Sequence, residues 1–392
     1  MYDWFQMVED KNKLVFFYHK NHNDQFNGTS VYLKYLLQRL SEKFHITYVE
    51  PDLIKTKQNR LNGVTGHYFL GLLKDVYLGQ FRWLVKVFRK GSHNSPANTL
   101  LLVEDIYSAP IPVFISRIKR YLLIYRAADF GTEYAKSLFG KHRIDTLIYS
   151  VIRKIMEKIL IHTSSLIICP SSSVRNNIVT KYPAFDSKIF VFPYVYNDII
   201  GINSNENDRE SPSSRDKKIN MLFLGDCRYP PNYYAAKYIL NHLIPSLQDL
   251  KNRFTITIAG PNSNILPSPI DSNVNILGEV LDKESIMKNS QIGLAPLLTP
   301  GGLSMKVIDY LVHGLFVIAT PEAAVGIVPN EQMKVVELQE FSNTIRGEII
   351  NESNNGRQDR TISKEVRATY MTDNLSGNLI QSIENLFKRS DN

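Results

Sequence analysis

The sequence has little cysteine, no long apolar run and no leader-like segment. Its 392 residues include two cysteines, Cys169 and Cys227, in different halves of the chain. We therefore expect no disulfide framework and a reducing compartment. No apolar run approaches the ~20 residues of a membrane-spanning helix, and the N-terminal MYDWFQMVEDKNK carries acids where a signal peptide needs bases and an apolar core. These absences predict a cytoplasmic protein, soluble or peripheral on the inner face of a membrane.

Several chemical motifs are also missing. The sequence contains no Asp-x-Asp and no His/Cys cluster with ligand spacing, so we expect no metal site. It has no G-x-S-x-G of a serine hydrolase, and no G-x-G-x-x-G follows the first strand pattern, which argues against a dinucleotide enzyme. We expect no bound cofactor.

Charge is distributed unevenly between the halves. Residues 1–200 contain 27 Lys/Arg and 16 Asp/Glu, whereas residues 201–392 contain 19 and 22. A basic first half indicates an anionic partner for that half alone. Nucleic acid is not expected because no recognised binding motif occurs, so an anionic membrane surface is the preferred partner.

Short apolar runs alternate with helical patterns through both halves, which is typical of parallel, doubly wound sheets. A polar segment, GINSNENDRESPSSRDKK (201–218), separates them. The sequence therefore predicts an N-terminal domain (1–200), a linker (201–218) and a C-terminal domain (219–392). In such sheets ligands bind beyond the carboxyl ends of the strands.

The stretch from Thr299 to Ile327 is the most informative. Gly301 and Gly302 predict a tight turn, and Ser304 to His313 has the spacing of a helix with one buried face. A glycine turn before a helix binds anions, because the free N–H groups and the helix dipole favour negative charge. Lys306 adds a fixed positive charge, so a diphosphate fits. An ordinary strand–loop–helix joint with a solvent-facing lysine is the alternative.

This stretch resembles the donor-binding signature of the GT-B glycosyltransferases, family 4 and its relatives (glycosyl transferases group 1). The pattern GG-x-x-x-K-x-x-E corresponds to Gly301, Gly302, Lys306 and Asp309, and the similarity extends over residues 219 to 328. The resemblance implies a GT-B fold, in which two Rossmann-like domains with parallel sheets face each other across a cleft. The last helical pattern would pack back on the first domain.

The resemblance also implies an activity. A retaining, metal-independent enzyme would move a hexose-type sugar from a nucleotide-sugar donor, UDP- or GDP-linked, held mainly by the second domain. The acceptor on the first domain would be a glycan or a lipid-linked glycan, as in polysaccharide or glycoconjugate biosynthesis.

On the donor side, the backbone at Gly301 and Gly302 and the amine of Lys306 would hold the diphosphate. Asp309, which stands where the pattern has glutamate, would take ribose or sugar hydroxyls and is a catalytic candidate. Two further candidates lie in LGDCRYPPNYY: Gly225 would let the backbone approach the ligand, and Arg228 would neutralise phosphate charge. In the same segment Asn232 is a candidate helix cap, and Tyr233 stands where many relatives have a second basic residue.

On the acceptor side, Gly28 corresponds to the family's first-domain glycine loop. Asp129 is the second catalytic candidate, an acid near the reacting sugar. Arg126 would pair with Asp129 or with an acceptor phosphate, and a purely structural Arg–Asp pair is the alternative. Glu104 and Asp105, at the end of the preceding strand pattern, are the second choice.

A helical pattern in residues 67–90 carries an apolar and a basic face, which is typical of a helix lying in a membrane interface. A helix packed on the sheet with a basic solvent face would look nearly the same. Residues 111–123 and 148–162 repeat this composition, and we expect the second of them to be a core helix.

Two rival functions remain open. The aspartate at 309 and the tyrosine at 233 are consistent with a catalytically silent homologue that binds its ligand as a partner subunit. Another GT-B chemistry, nucleotide-sugar epimerisation, would need no acceptor.

Overall fold

The computed structural model describes residues 13–17, 28–49, 80, 81, 85, 99–104, 106, 108–128, 144–196, 218–267, 271–299, 302–355, 362–371 and 375–390. The chain divides into two compact units. One contains Ser30–Phe192 and Asn374–Asn392 together with the first strand, and the other contains Pro193–Asp373.

The first unit is built on a six-stranded parallel sheet in the order β2-β1-β3-β4-β5-β6. Its strands are β1 (Lys13–Phe17), β2 (His45–Val49), β3 (Thr99–Val103), β4 (Leu122–Arg126), β5 (Leu166–Cys169) and β6 (Ile189–Val191). Its helices are α1 (Gly28–Ser41), α2 (Pro110–Lys119), α3 (Ile144–Thr163) and α4 (Ser172–Lys181), with α11 (Ser376–Ser390) from the end of the chain.

Continuous apolar runs form the central strands because helices cover both faces of a parallel sheet. All five residues of β3, TLLLV, are buried. One face packs on Ile115 of α2, Leu160 of α3 and Ile178 of α4, which share a single core cluster. The aromatic rings of Phe44 and Phe387, the latter on α11, lie 6.1 Å apart. Burial of these side chains is the main stabilising contribution to this unit.

The second unit repeats the architecture with the strand order β12-β11-β10-β7-β8-β9, again parallel. Its strands are β7 (Ile219–Leu224), β8 (Phe254–Ala259), β9 (Val274–Gly278), β10 (Ile292–Ala295), β11 (Phe316–Ala319) and β12 (Met333–Val335). Its helices are α5 (Pro230–Tyr238), α6 (Lys283–Lys288), α7 (Met305–Val312), α8 (Pro321–Ala324), α9 (Phe341–Asn355) and α10 (Lys364–Tyr370). A π-helical turn, Ile239–Leu243, and a short helical stretch, Ile244–Ser246, follow α5 directly.

Helix α7 lies unusually close to the sheet. Tyr310 is fully buried, and a Cβ placed on Gly293 of β10 would collide with its ring. The Tyr310 hydroxyl accepts a hydrogen bond of 2.6 Å from the backbone N–H of Leu224, the last residue of β7. One side chain therefore fixes the height and the rotation of α7 over the carboxyl end of β7.

The predicted fold class is confirmed: two six-stranded parallel sheets in an α/β arrangement. The domain boundaries stay a prediction, and residues 201–217 of the predicted linker lie outside the described residues. One expectation was wrong in part. Helix α3, expected in the core, buries one face but leaves several large apolar side chains exposed on the other.

Within the described residues, no helix combines the length and the apolar composition needed to cross a membrane.

We predict that Gly293→Ala destabilises the second unit, because the added methyl group meets the ring of Tyr310 in a packed interior. Overpacking of this kind costs about 1–3 kcal/mol in the free energy of unfolding. The matched control is Gly347→Ala in α9, where an added Cβ meets nothing within 4 Å, and where we expect a gain of about 0.5–1 kcal/mol. Calorimetric unfolding of the three proteins checks this. An unchanged midpoint in Gly293→Ala would contradict the close approach of α7.

Candidate active site

The carboxyl ends of β7, β8 and β10 bring three loops together in the second unit. Gly260, after β8, has a φ of +130°, and a Cβ there would collide with the carbonyl of Gly225 after β7. A side chain at Gly225 would in turn come within 2.7 Å of Asn232. The backbone N–H of Cys227 donates to the carbonyl of Pro261 at 3.0 Å. Gly260 is thus needed for the close contact between the two loops, and Gly225 for the close approach of Asn232.

Asp226 ties these loops together through its carboxylate. It accepts the backbone N–H of Arg228 at 2.9 Å and the side-chain amide of Asn262 at 3.0 Å. The Arg228 guanidinium also pairs with it at 2.9 Å. Arg228 was predicted to bind phosphate. In this structure its guanidinium instead forms an ion pair with the neighbouring carboxylate of Asp226. Its role as a phosphate ligand stays a prediction.

Lys306 lies at the centre of the site: the residue as a whole is partly exposed, but its amine is buried. Its Nζ donates to Oδ1 of Asn232 at 2.6 Å and lies 4.3 Å from the ring centroid of Phe223 on β7. No carboxylate of the described part of the chain forms an ion pair with it. The amine thus contacts neighbouring side chains, while the choice between a diphosphate site and an ordinary strand–loop–helix joint stays a prediction.

Burial has a further consequence for Lys306. Loss of hydration disfavours the ammonium form and lowers the pKa of Lys306 to about 7, although the Cys227 thiol nearby opposes this. The sequence predicted a fixed positive charge. The structure instead gives an amine that titrates near neutrality, and an anion placed beside it would restore its charge.

The N-terminus of α7 adds a polar group that sequence reasoning missed. Ser304 precedes the helix in the capping position, yet its hydroxyl accepts no N–H of α7. This oxygen is buried and has no hydrogen-bond partner among the described residues. Buried hydroxyls are normally satisfied, so this one is available to a ligand. The sequence signal was a serine before a helix, which alone indicates only a cap.

The glycine pair is described in part. Gly302 has a φ of +82°, a left-handed conformation that glycine adopts freely. Gly301 lies outside the described residues.

Asp309, one turn along α7, is held by an ion pair. Lys283 of α6 places its Nζ 3.2 Å from Oδ2 of Asp309. The ring of His313 also approaches this turn, with Nδ1 2.7 Å from the Asp309 carbonyl oxygen. Because that contact requires Nδ1 to donate, Nε2 can accept from the Tyr196 hydroxyl at 3.4 Å. The sequence did not predict Lys283, which comes from a helix more than twenty residues away.

Asn232 does not cap a helix as predicted. It is the third residue of α5, which begins at Pro230, and Tyr229 occupies the capping position. Its amide group donates to the Asp226 carbonyl at 3.1 Å while its oxygen receives Lys306. Asn232 thus orients the lysine.

In the first unit, Arg126 ends β4 and is buried in an ion pair with Glu104, which follows β3. Its guanidinium also lies 4.2 Å from the ring centroid of Tyr32 on α1. The pairing of Arg126 with Asp129 considered from the sequence stays a prediction. Asp129 and Asp105 lie outside the described residues, and Gly28 is the first residue of α1.

No cluster of three or more potential metal ligands occurs among the side chains that the structure describes.

Comparison with known proteins finds a family match within the second unit. Residues 218–346 match the family model described as glycosyl transferases group 1. A Klebsiella pneumoniae protein described as an uncharacterized 44.6 kDa protein in the cps region is 23% identical over 339 residues, which cover 77% of this chain and 81% of that protein.

Solved structures share the fold of the whole chain. Sucrose-phosphate synthase from Thermosynechococcus elongatus has a TM-score of 0.68 at 13% identity, covering 97% of this chain and all of that one. Anabaena HepE in complex with UDP and glucose has a TM-score of 0.61 at 13% identity, with 95% and 99% covered. A candidate UDP-N-acetylglucosamine 2-epimerase from Listeria monocytogenes has a TM-score of 0.59 at 12% identity, with 97% and 98% covered.

The resemblance found in the sequence is thus confirmed: residues 218–346 match the glycosyl transferases group 1 model, and the chain shares the GT-B fold of the solved structures.

Proposed function

We propose that the protein is a family 4-like glycosyltransferase that moves a hexose-type sugar from a nucleotide-sugar donor to a glycan or a lipid-linked glycan. The single observation that carries the proposal is the amine of Lys306, buried without a carboxylate partner among the described residues and placed beside the N-terminus of α7. A buried cation of this kind is costly unless an anion joins it.

The chemistry follows from where charge develops. Breaking the bond between the sugar and the nucleotide leaves a diphosphate, and groups that stabilise this leaving group lower the barrier. Lys306, the hydroxyl of Ser304 and the backbone after Gly301 and Gly302 would supply that stabilisation without a metal. Retention of the anomeric configuration is part of the proposal through the family 4 resemblance.

The remaining residues have proposed roles around this centre. Gly225 permits close approach of the backbone, Arg228 would exchange Asp226 for a phosphate, and Asp309 would bind ribose or sugar hydroxyls. Its ion pair with Lys283 would have to share the carboxylate with such a ligand.

In the first unit, Asp129 is proposed to act near the reacting sugar, with Gly28 and Arg126 on the acceptor side. The pairing of Arg126 with Glu104 favours a positioning role for Arg126.

The donor is proposed to be UDP- or GDP-linked. HepE, which shares the fold, is described in complex with UDP, and this favours the UDP-linked alternative. The acceptor is proposed to be presented at the inner face of a membrane to a cytoplasmic, peripheral enzyme, since the basic first half suits an anionic surface.

A second candidate function is nucleotide-sugar epimerisation, which the likeness to the Listeria protein favours. Incubation with donor alone separates the candidates, because an epimerase converts the donor sugar without acceptor. A transferase releases nucleoside diphosphate only when an acceptor is present, apart from slow hydrolysis. A silent partner subunit would bind donor and do neither.

We predict that UDP- or GDP-sugars raise the thermal midpoint of the wild-type protein and that Lys306→Met abolishes most of this shift. Loss of a charge-assisted contact to phosphate weakens binding by roughly 1.5–3 kcal/mol, or about 10–150-fold. Fluorescence-monitored unfolding with a panel of UDP-, GDP-, dTDP- and ADP-sugars measures the effect.

The matched control is Lys334→Met, since Lys334 lies on β12 at the far edge of the sheet and pairs with Glu348. This variant should keep the full ligand shift. An equal shift in Lys306→Met would remove Lys306 from the donor site.

We further predict that donor affinity falls as pH rises above neutrality. The free amine has a pKa of about 7, and a bound diphosphate raises it, so binding is strongest below pH 7. Above that value the dissociation constant should rise by up to about tenfold per pH unit, until the pKa of the bound state is reached. Nucleotide sugars are the right probe because both their phosphates stay ionised across this range.

Titrations of wild type and Lys306→Arg with a nucleotide sugar between pH 6 and 9 test whether donor affinity falls as pH rises. The guanidinium keeps its charge throughout, so the arginine variant should lose the pH dependence even if it binds more weakly. A wild-type affinity that is flat or rises with pH would contradict this prediction.

A further inference from the structure

Helix α3 carries an exposed apolar stripe along its outer face. The stripe consists of five large aliphatic side chains that are between 36% and 66% exposed: Leu147, Val151, Ile152, Ile155 and Ile159. Four of them follow one another at intervals of four residues, so they form a continuous row on a helix of about 30 Å. A helix that faces water alone would carry polar side chains there.

The inner face of α3 makes this distribution more unusual. Leu160 and Ile161 are fully buried there, but so is an ion pair between Arg153 and Glu157, with Nε and Oε1 2.7 Å apart. The helix thus buries charged side chains while it exposes aliphatic ones. Burial in the domain core therefore does not explain the outer row.

The neighbouring helix extends the apolar surface. Helices α2 and α3 both pack on β4 and contribute to the same core cluster, so they lie in one layer of the first unit. On α2, Phe114 and Ile118 are exposed and stand one turn apart. Phe81 is also exposed, next to Gln80, whose side chain donates to the Ser108 carbonyl just before α2.

Basic side chains border the exposed apolar groups. Lys154 and Lys158 are exposed beside the stripe on α3, and Arg117 and Arg120 are exposed at the end of α2. Among the residues of α2 and α3 whose side chains are described, the one acid is Glu157, which is buried. The combination of exposed aliphatic groups and a basic border is typical of a surface that inserts among lipid headgroups.

We propose that the outer faces of α2 and α3 bind an anionic lipid bilayer, with the stripe inserted at the headgroup level and the flanking lysines and arginines on lipid phosphates. This inference rests on the proposed function, because a glycosyltransferase with a lipid-linked acceptor has to reach the membrane. The inference says which surface of the enzyme makes that contact. It also places the contact on a helix that the sequence assigned to the core.

A second copy of the chain is a less suitable occupant. If two stripes packed on each other, Lys154 and Lys158 would approach the same residues of the other copy, and like charges would repel. An anionic surface complements both the apolar row and its border.

The test uses the full chain and vesicles of two compositions, phosphatidylcholine alone and phosphatidylcholine with 30% phosphatidylserine or phosphatidylglycerol. The variants are Leu147→Ser/Ile155→Ser in the stripe and Lys154→Ala/Lys158→Ala in its border. The matched control is Leu277→Ser/Leu281→Ser, which removes two exposed leucines from the second unit.

We expect the wild type to sediment with anionic vesicles and to bind neutral vesicles at least about tenfold more weakly. Binding should also weaken at 0.5 M salt, because the Debye length is then only about 4 Å and the surface charges are screened. Both α3 variants should lose about tenfold or more in vesicle affinity, whereas the Leu277/Leu281 control should bind as wild type does. Equal binding by all four proteins would overturn the inference. So would a wild-type dimer in solution that the stripe variant converts to a monomer.

Nucleotide-sugar binding, measured by thermal shift, separates this inference from the proposed function. If the stripe variant keeps the donor shift but loses vesicle binding, the variant is folded and the inference stands. If the wild type shows a donor shift but binds no vesicles, the inference fails and the proposed function does not.

Discussion

The site depends on one packing constraint, the close seating of α7 on the sheet of the second unit. The ring of Tyr310 lies where any side chain at Gly293 would be, and its hydroxyl takes the last backbone N–H of β7. Because Lys306 lies about one helical turn before Tyr310, this contact also determines where its amine stands. The amine therefore lies between Asn232 and Phe223. Its burial there lowers the pKa of Lys306 to about 7.

Much of the fold was predictable because it depends on local patterns. Runs such as TLLLV and INMLFL are apolar without alternation, which is what strands covered on both faces require. The helix and the strand after Gly302 were likewise predicted within a residue or two, since the glycines on either side of the helix mark its ends.

The site was less predictable because its side chains are positioned by distant segments. The burial of Lys306 depends on Asn232, 74 residues away, and the ion pair of Asp309 depends on Lys283. Arg126, at the end of β4, pairs with Glu104, which follows the neighbouring strand β3. No local sequence pattern specifies this pair. The amphipathic pattern of α3 was read correctly as a helix, but the pattern alone could not say that its charged pair faces inward and its aliphatic row outward.

The central claim is that the amine of Lys306 receives the donor diphosphate. Calorimetric titration of the nucleotide sugar at pH 8, in buffers with different ionisation enthalpies, measures the protons taken up on binding. Because the free pKa is about 7, most amines are neutral at that pH, so the account predicts uptake of close to one proton by wild type and none by Lys306→Arg. Donor binding without proton uptake, or equal uptake by both proteins, would contradict it.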